Sequence, residues 1–226
     1  MLAENRRPDL MTAAGYYLSS MVTLATKIKG FRWHAKGDHW VKLRNGLSFY
    51  WQKPMDLWEI KEVAIDRQYE AVKSLKGGEV VIDIGAGIGD FALTAARAGA
   101  TVLAFDKDNN RVNRLKKNIK TNQLTGIKVW VQEVKSLDEL MTSHRIRRCD
   151  FLKVDCEGAE YPIFKQSSTR SLQRVKHMAM EAHLFTGKME EDFDRLVARL
   201  RKLGFDCQVF NNEVHRQLKM VFATNR

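Results

Sequence analysis

The stretch Val80-Val81-Ile82-Asp83-Ile84 runs straight into Gly85-Ala86-Gly87-Ile88-Gly89-Asp90. No other feature constrains the fold as strongly. The apolar run reads as a strand covered on both faces. The alternating glycines read as a turn whose backbone takes positive φ or lies close against a ligand. In a parallel sheet, such a turn at the carboxyl end of the first strand opens into the ligand crevice.

The glycine spacing selects among ligands. A dinucleotide loop reads G-x-G-x-x-G/A. Here the third glycine comes one residue early and position 90 is Asp, whose charge at a helix start would repel a pyrophosphate. The expected ligand therefore has no phosphate near the turn. S-adenosylmethionine, with an amino-acid end, a ribose and an adenine, meets that condition. Asp83 is the carboxylate expected beside its α-ammonium, and Gly85, Ala86, Gly87 and Gly89 are expected to form the donor loop. The next apolar run ends at Phe105-Asp106-Lys107. A carboxylate about twenty residues beyond such a loop suits the ribose hydroxyls, so Asp106, with Lys107 beside it, joins the donor site.

The rest of the chain supports the same architecture. Apolar runs over 80–84, 101–105, 128–132, 151–155 and 177–182 alternate with helical patterns over 90–98, 109–121, 137–145, 160–166 and 189–203. This alternation predicts a parallel sheet with helices on both faces. Ser136-Leu137-Asp138-Glu139 has the form of a capping box. The runs over 205–210 and 219–223 have no helix between them and predict an antiparallel hairpin at the sheet edge. The expected fold is α/β, with a doubly wound, mostly parallel sheet over 77–226 that binds S-adenosylmethionine at the glycine loop. Residues 1–76 form a smaller region packed on it. There the spacing predicts a helix over 10–28 that docks through Leu10, Tyr17, Met21, Leu24 and Ile28. A hairpin follows, turning at Asn45-Gly46 with Trp40 opposite Trp51, and then a helix over 55–75 that starts near Pro54.

Composition narrows the classes further. Thirty-eight Lys+Arg against 27 Asp+Glu give a formal charge of +11, which suits anionic partners without naming one. Three cysteines without a CxxC pair argue against a disulfide framework or a zinc cluster, and so for a reducing, cytoplasmic setting. No signal-peptide pattern stands at the start. The uncharged stretch over 10–26 is too polar for a spanning helix. The basic residues around it, Arg6, Arg7, Lys27 and Lys29, leave a membrane-surface contact as a minor alternative.

A second motif lies at Lys153-Val154-Asp155-Cys156-Glu157-Gly158-Ala159-Glu160, with Met180-Glu181-Ala182-His183 further on. Together with the glycine loop and Ser136-Leu137-Asp138, these residues resemble the FkbM family of S-adenosylmethionine-dependent methyltransferases over roughly 77–185. The resemblance implies a Rossmann-like class I methyltransferase fold over 77–226, S-adenosylmethionine as donor, and O-methylation of a hydroxyl on a sugar, glycolipid or small metabolite. It implies that Asp155, Glu157, Glu181 and His183 face the reaction centre as catalytic candidates. His183 has the best unperturbed pKa for a base. The segment that covers the adenine in that family is short here, leaving Gln132 and Glu133 as its candidates. A divalent cation on Asp155 and Glu181 is compatible with hard oxygen ligands but is not required by the sequence.

The alternative is an RNA methyltransferase. Lys27, Lys29, Arg32, Lys36, Lys42 and Arg44 interleave with Phe31, Trp33 and Trp40, a pattern suited to phosphates and stacked bases. A second basic run, Arg111, Arg114, Lys116, Lys117 and Lys120, reads as a solvated helix face. A third reading is a non-catalytic protein that keeps the fold.

Overall fold

The computed structural model describes residues 10–212 and 214–225; Arg6 and Arg7 lie outside them. The main sheet takes the predicted strands: β4 (Val80–Ile84), β5 (Thr101–Asp106), β6 (Ile127–Val131), β7 (Cys149–Val154), β8 (Val175–His183), β9 (Phe205–Asn211) and β10 (Leu218–Asn225). Their spatial order is β6-β5-β4-β7-β8-β10-β9. β4, β5, β6, β7 and β8 are parallel neighbours. β10 inserts antiparallel between β8 and β9, so the expected edge hairpin is present with β9 outermost. The strand order reverses between β4 and β7, and such a switch point opens a crevice at the carboxyl ends of the strands.

Helices α3 (Asp90–Arg97), α4 (Asn109–Asn122), α5 (Leu137–Ser143), α6 (Glu160–Gln166) and α8 (Gly187–Lys202) fall where the periodicity predicts them. Short α7 (Thr169–Leu172) was not anticipated. Ser136 caps α5 by accepting from the Glu139 N–H. One face of the sheet is covered by an apolar core drawn from α5, α6, α7 and α8. The other face shares its core with α3, α4 and the N-terminal region.

That region departs from expectation in three ways, each with a local cause. β1 (Ile28–Arg32), β2 (His39–Leu43) and β3 (Ser48–Trp51) form a separate three-stranded antiparallel sheet. Trp40 pairs with Tyr50 and His39 with Trp51, one residue off the expected register. Leu43 and Leu47 close a three-residue loop, with Leu43 N–H donating to Leu47 O at 2.8 Å. Gly46 alone takes the left-handed conformation, at φ 93°. Asn-Gly thus ends a type I turn with a glycine bulge instead of forming a two-residue turn.

The predicted long helix breaks early. α2 (Pro54–Ile60) passes into a π turn (Lys61–Ile65), and Arg67 at φ 57° stops it before a short 3₁₀ turn (Gln68–Glu70). α1 (Leu10–Lys27) docks through a different face. Leu24 is buried and Ile28 packs half-buried on the core as expected, but Tyr17 and Met21 are exposed, and the Leu10 side chain lies outside the described residues. Tyr16 anchors the helix instead: its hydroxyl donates to Glu62 at 2.6 Å and its ring packs edge-on to Trp58. An aromatic ring with a satisfied polar tip overrides simple apolar spacing here. No helix among the described residues is long and apolar enough to cross a membrane.

Two asparagines of α4 fasten the small sheet to that helix and to the glycine loop. Asn118 Oδ1 accepts from Tyr50 N–H at 2.6 Å, and its Nδ2 donates to Tyr50 O and Ile88 O. Asn122, one helical turn on, takes Ser48 N–H and donates to Ser48 O. Together they satisfy the free edge of β3, which would otherwise expose unpaired backbone groups. Phe49 and Trp51 are buried beneath, and the Phe49 ring alone contributes about 1.5–3 kcal/mol of apolar burial.

Candidate active site

Two cavities meet at the crevice. The first is lined by Gly85, Gly87, Asp106, Lys107, Gln132 and Glu133 among others. The second is lined by Trp58, Tyr69, Glu181, His183 and Phe185 among others. Glu59, Asp90, Asp155 and Glu157 border both. A ligand in the first therefore faces a ligand in the second across those four carboxylates.

The glycines divide the work. Gly85 allows β4 to pass β7: a Cβ there would lie 1.7 Å from the Asp155 carbonyl oxygen. Gly87, at φ 54°, faces the first cavity, where a Cβ would stand 2.6 Å from the Arg111 guanidinium. Gly89 and Ala86 do not line the cavity; Gly89 lets the first turn of α3 pass Leu115. Asp106 holds the loop, accepting from Gly87 N–H and Asp108 N–H at 2.8 Å each. Gln132 contacts His144 at 2.8 Å.

Asp83 is not where the sequence reading set it. It is fully buried beneath the loop, off the cavity wall, and its Oδ1 faces Lys153 Nζ at 3.3 Å. An inward-facing position on a strand covered on both sides gives it that orientation. Burial raises its pKa to about 6 although Lys153 opposes the shift.

Lys153 is a site residue that the sequence reading passed over. Its ammonium, 3% exposed, donates to Gly85 O at 2.7 Å and stands 3.8 Å from Asp155 Oδ2. Burial works against its charge, but Asp83, Asp155 and Asp90 outweigh burial and keep its pKa above the ordinary lysine range.

Arg111 is the second omission. It belongs to the run read as a solvated face, yet it reaches over the glycine loop and pairs with Glu59 at 2.6 Å. Its Nε is buried without a hydrogen-bond partner. Arg114 is also buried, paired with Asp38 at 3.0 Å. Helical periodicity alone does not reveal that the first turns of α4 lie against the loop and the small sheet.

At the second cavity the structure gathers Asp155, Glu157, Glu181 and His183. Asp155 follows β7, and its Oδ2 accepts from the Tyr69 hydroxyl at 2.8 Å. His183 ends β8. Its Nδ1 lies 3.0 Å from Glu160 Oε1, a fully buried carboxylate that also accepts the His183 N–H. Burial lowers the His183 pKa, but the Glu160 hydrogen bond and the charges of Glu160, Asp155 and Glu181 outweigh it and raise the value to about 9. Burial and Asp155 raise the pKa of Glu181. Glu157 takes a left-handed φ of 57° without being glycine, a strained conformation of the kind that collects at functional sites. The π turn beside the cavity carries Glu62, and π turns too concentrate at such sites.

Known proteins place this geometry in a class. The profile of the TRM5/TYW2 methyltransferase domain matches residues 58–156, across the glycine loop and Asp106. That of the methyltransferase FkbM domain matches residues 124–207. The 23S rRNA (uracil(1939)-C(5))-methyltransferase RlmD of Legionella pneumophila (strain Lens) is 27% identical over 88 residues, 39% of this chain and 19% of that protein. The chain thus spans about a fifth of the length of the curated relatives it matches. Fibrillarin of Aeropyrum pernix, solved with S-adenosyl-L-methionine, superposes with a TM-score of 0.54 at 13% identity, covering 88% of this chain and 99% of that one. An rRNA methylase of Streptococcus thermophilus gives 0.53 at 13% identity, covering 77% and 97%.

The fold is that of the class I Rossmann-like S-adenosylmethionine-dependent methyltransferases, and S-adenosylmethionine is the cofactor this architecture takes. Part of the chain is similar to proteins named for RNA modification, and the FkbM assignment is corrected accordingly. The FkbM match begins beyond the glycine loop and Asp106, whereas the donor half follows the TRM5/TYW2 domain. The residues of the cleft fit the cofactor. It offers an unpartnered buried guanidinium nitrogen for a carboxylate, acidic groups for an ammonium, and a glycine-floored wall that a side chain would fill.

Proposed function

We propose that this chain methylates RNA, with S-adenosylmethionine in the first cavity and the acceptor nucleotide in the second. The observation that carries this reading is a row of side chains across the outer face of the small sheet. Arg32 pairs in register with Trp40, and Trp40 with Tyr50. The Arg32 guanidinium stands 5.4 Å above the Trp40 ring. The Lys117 ammonium stands 3.5 Å above the Tyr50 ring. Trp33, also expected in that pattern, is exposed but lies on the other side, stacked at 3.8 Å on His39, which is buried. Flat rings flanked by cations suit bases and phosphates of a single strand. The RNA-modifying names of the relatives support the same reading. A sugar, glycolipid or small-metabolite hydroxyl, the acceptor first expected, has no such surface feature behind it.

In this reading Arg111 holds the donor's carboxylate, Asp90 and Asp155 its ammonium, and Asp106 its ribose. Gln132 and Glu133 border the adenine. Bound S-adenosylmethionine supplies an electrophilic methyl group. The chain's own contribution is to align the acceptor atom with it, worth as much as about 7–11 kcal/mol in favourable cases, and to take the acceptor's proton through the carboxylates between the cavities.

A labelled single-stranded RNA tests this by fluorescence anisotropy between 50 and 200 mM salt. Binding should fall with salt. Trp40→Ala should cost about 1–3 kcal/mol, roughly 5- to 150-fold in affinity. Lys117→Ala should lower the salt slope by about one. Absence of binding at low salt, with S-adenosylhomocysteine binding intact, would rule out the RNA reading.

A further inference from the structure

The acceptor cavity is acidic in a chain of formal charge +11. Glu59, Glu62, Asp90, Asp155, Glu157 and Glu181 line it, and among the described lining residues there is no lysine or arginine. A polyanion entering such a cavity meets like charge unless a cation is present.

The geometry inside points to where that cation sits. The His183 side chain is 3% exposed. Its Nδ1 is held by buried Glu160 at 3.0 Å, the carboxylate–histidine arrangement that orients a metal-binding imidazole. Its Nε2, on the cavity side, makes no hydrogen bond among the described residues. The nearest carboxylate oxygens are Glu157 Oε2 at 3.5 Å, Glu181 Oε1 at 3.8 Å and Asp155 Oδ1 at 4.0 Å. Ligand atoms of Asp155, Glu181 and His183 all lie within 4.8 Å of one another. Ligands about 2.0–2.4 Å from a shared ion stand roughly 3–4.5 Å apart, so the set is already near binding geometry. Tyr69 fixes Asp155 through Oδ2, leaving Oδ1 toward the cavity.

We propose that Asp155, Glu181 and His183 Nε2 bind one divalent cation, Mn²⁺ or Mg²⁺, which receives a ribose hydroxyl oxygen of the acceptor. Carboxylates with one imidazole suit these harder ions. The cation site stands on geometry alone; the ribose as its guest rests on the RNA reading. A cation-bound hydroxyl loses its proton more easily. The hydroxyl oxygen bonds to the donor methyl as the methyl–sulfur bond breaks and its electron pair stays on sulfur, yielding S-adenosylhomocysteine. The proton passes to Glu157, which is outside the ligand set and 73% exposed, and from there to water.

Metal-stripped protein titrated with MnCl₂, with free Mn²⁺ followed by electron paramagnetic resonance, should take up one ion per chain. Glu181→Gln should weaken uptake at least about tenfold, and Glu160→Gln, through His183 orientation, about 10- to 100-fold. S-adenosylhomocysteine affinity, measured alongside, reports whether each variant keeps its fold; Glu181→Gln, on a half-buried strand position, decides the matter if Glu160→Gln does not fold. No uptake by the wild type, or uptake unchanged in Glu181→Gln, would overturn the site. RNA methylated at full rate in EDTA would remove the cation's role and leave the RNA reading standing. Mn²⁺ bound by a protein that methylates no RNA would do the reverse.

Discussion

Gly85→Ala should leave the protein unfolded or destabilised by more than about 4 kcal/mol, the range reached only when backbone packing itself is broken. Two costs combine. Gly85 sits at φ 76°, and the added Cβ would lie 1.7 Å from the Asp155 carbonyl oxygen and 2.7 Å from its carbonyl carbon. The first cost is the left-handed conformation, about 1–2 kcal/mol for an L side chain. The second is larger, because the obstacle is backbone and cannot rotate away: β4 and β7 must separate where they carry the loop and Asp155. Gly187→Ala is the matched control. Gly187 opens α8 with nothing within 4 Å of an added Cβ, so the change should stay within about 1 kcal/mol. Urea denaturation of both variants measures the contrast. A Gly85→Ala protein of near wild-type stability would mean that the two strands do not meet as described.

Lys153→Met should cost about 3–5 kcal/mol, the penalty for leaving buried charge without its partner. Lys153 lies between Asp83, which is fully buried, and Asp155, and it also ties down the Gly85 carbonyl. Methionine fills the volume and removes the charge and the donor. Adding Asp83→Asn removes one stranded carboxylate, so the double variant should recover part of the loss. Contacting charged pairs couple by about 0.5–3 kcal/mol. Strict additivity of the two changes in a denaturation cycle would show that Lys153 and Asp83 are not partners. The Lys153→Met protein should also bind S-adenosylhomocysteine more weakly, because the Gly85 carbonyl loses its anchor.

What the sequence discloses and what it hides divide along local and long-range lines. The β4 loop, the strand–helix alternation and the antiparallel return of β9 and β10 are local patterns, and the structure has them all. Spatial relations between distant segments are not local. Asn118 and Asn122 look like ordinary helix residues until β3 is laid beside them, 68–74 positions away in sequence. Arg111 and Arg114 share the periodicity of a solvated face, and only tertiary packing turns them onto Glu59 and Asp38. The hairpin slipped by one residue because Asn-Gly serves both two- and three-residue loops. The family assignment drew its specificity from residues after β7, while the donor half resembles a different domain. Of the residues that line the cleft, Gly85, Gly87, Asp106 and the cluster of Asp155, Glu157, Glu181 and His183 stand out in the sequence; Asp83, Ala86 and Gly89 stand out equally but lie off the cavity wall, and Lys153 and Arg111 required the fold.

The central claim is that S-adenosylmethionine lies against the loop at Gly87, and calorimetry with S-adenosylhomocysteine tests it most directly. Gly87→Asp is the informative variant. Aspartate tolerates the φ of 54° better than most residues, and the neighbour it meets, the Arg111 guanidinium, is the mobile end of a side chain, so the fold should survive. Its carboxylate would occupy the cleft and take Arg111 for itself. The wild type should bind one ligand per chain and Gly87→Asp should lose at least about 100-fold, close to 2.7 kcal/mol. No binding heat from the wild type, or equal affinity in a folded Gly87→Asp, would contradict the account.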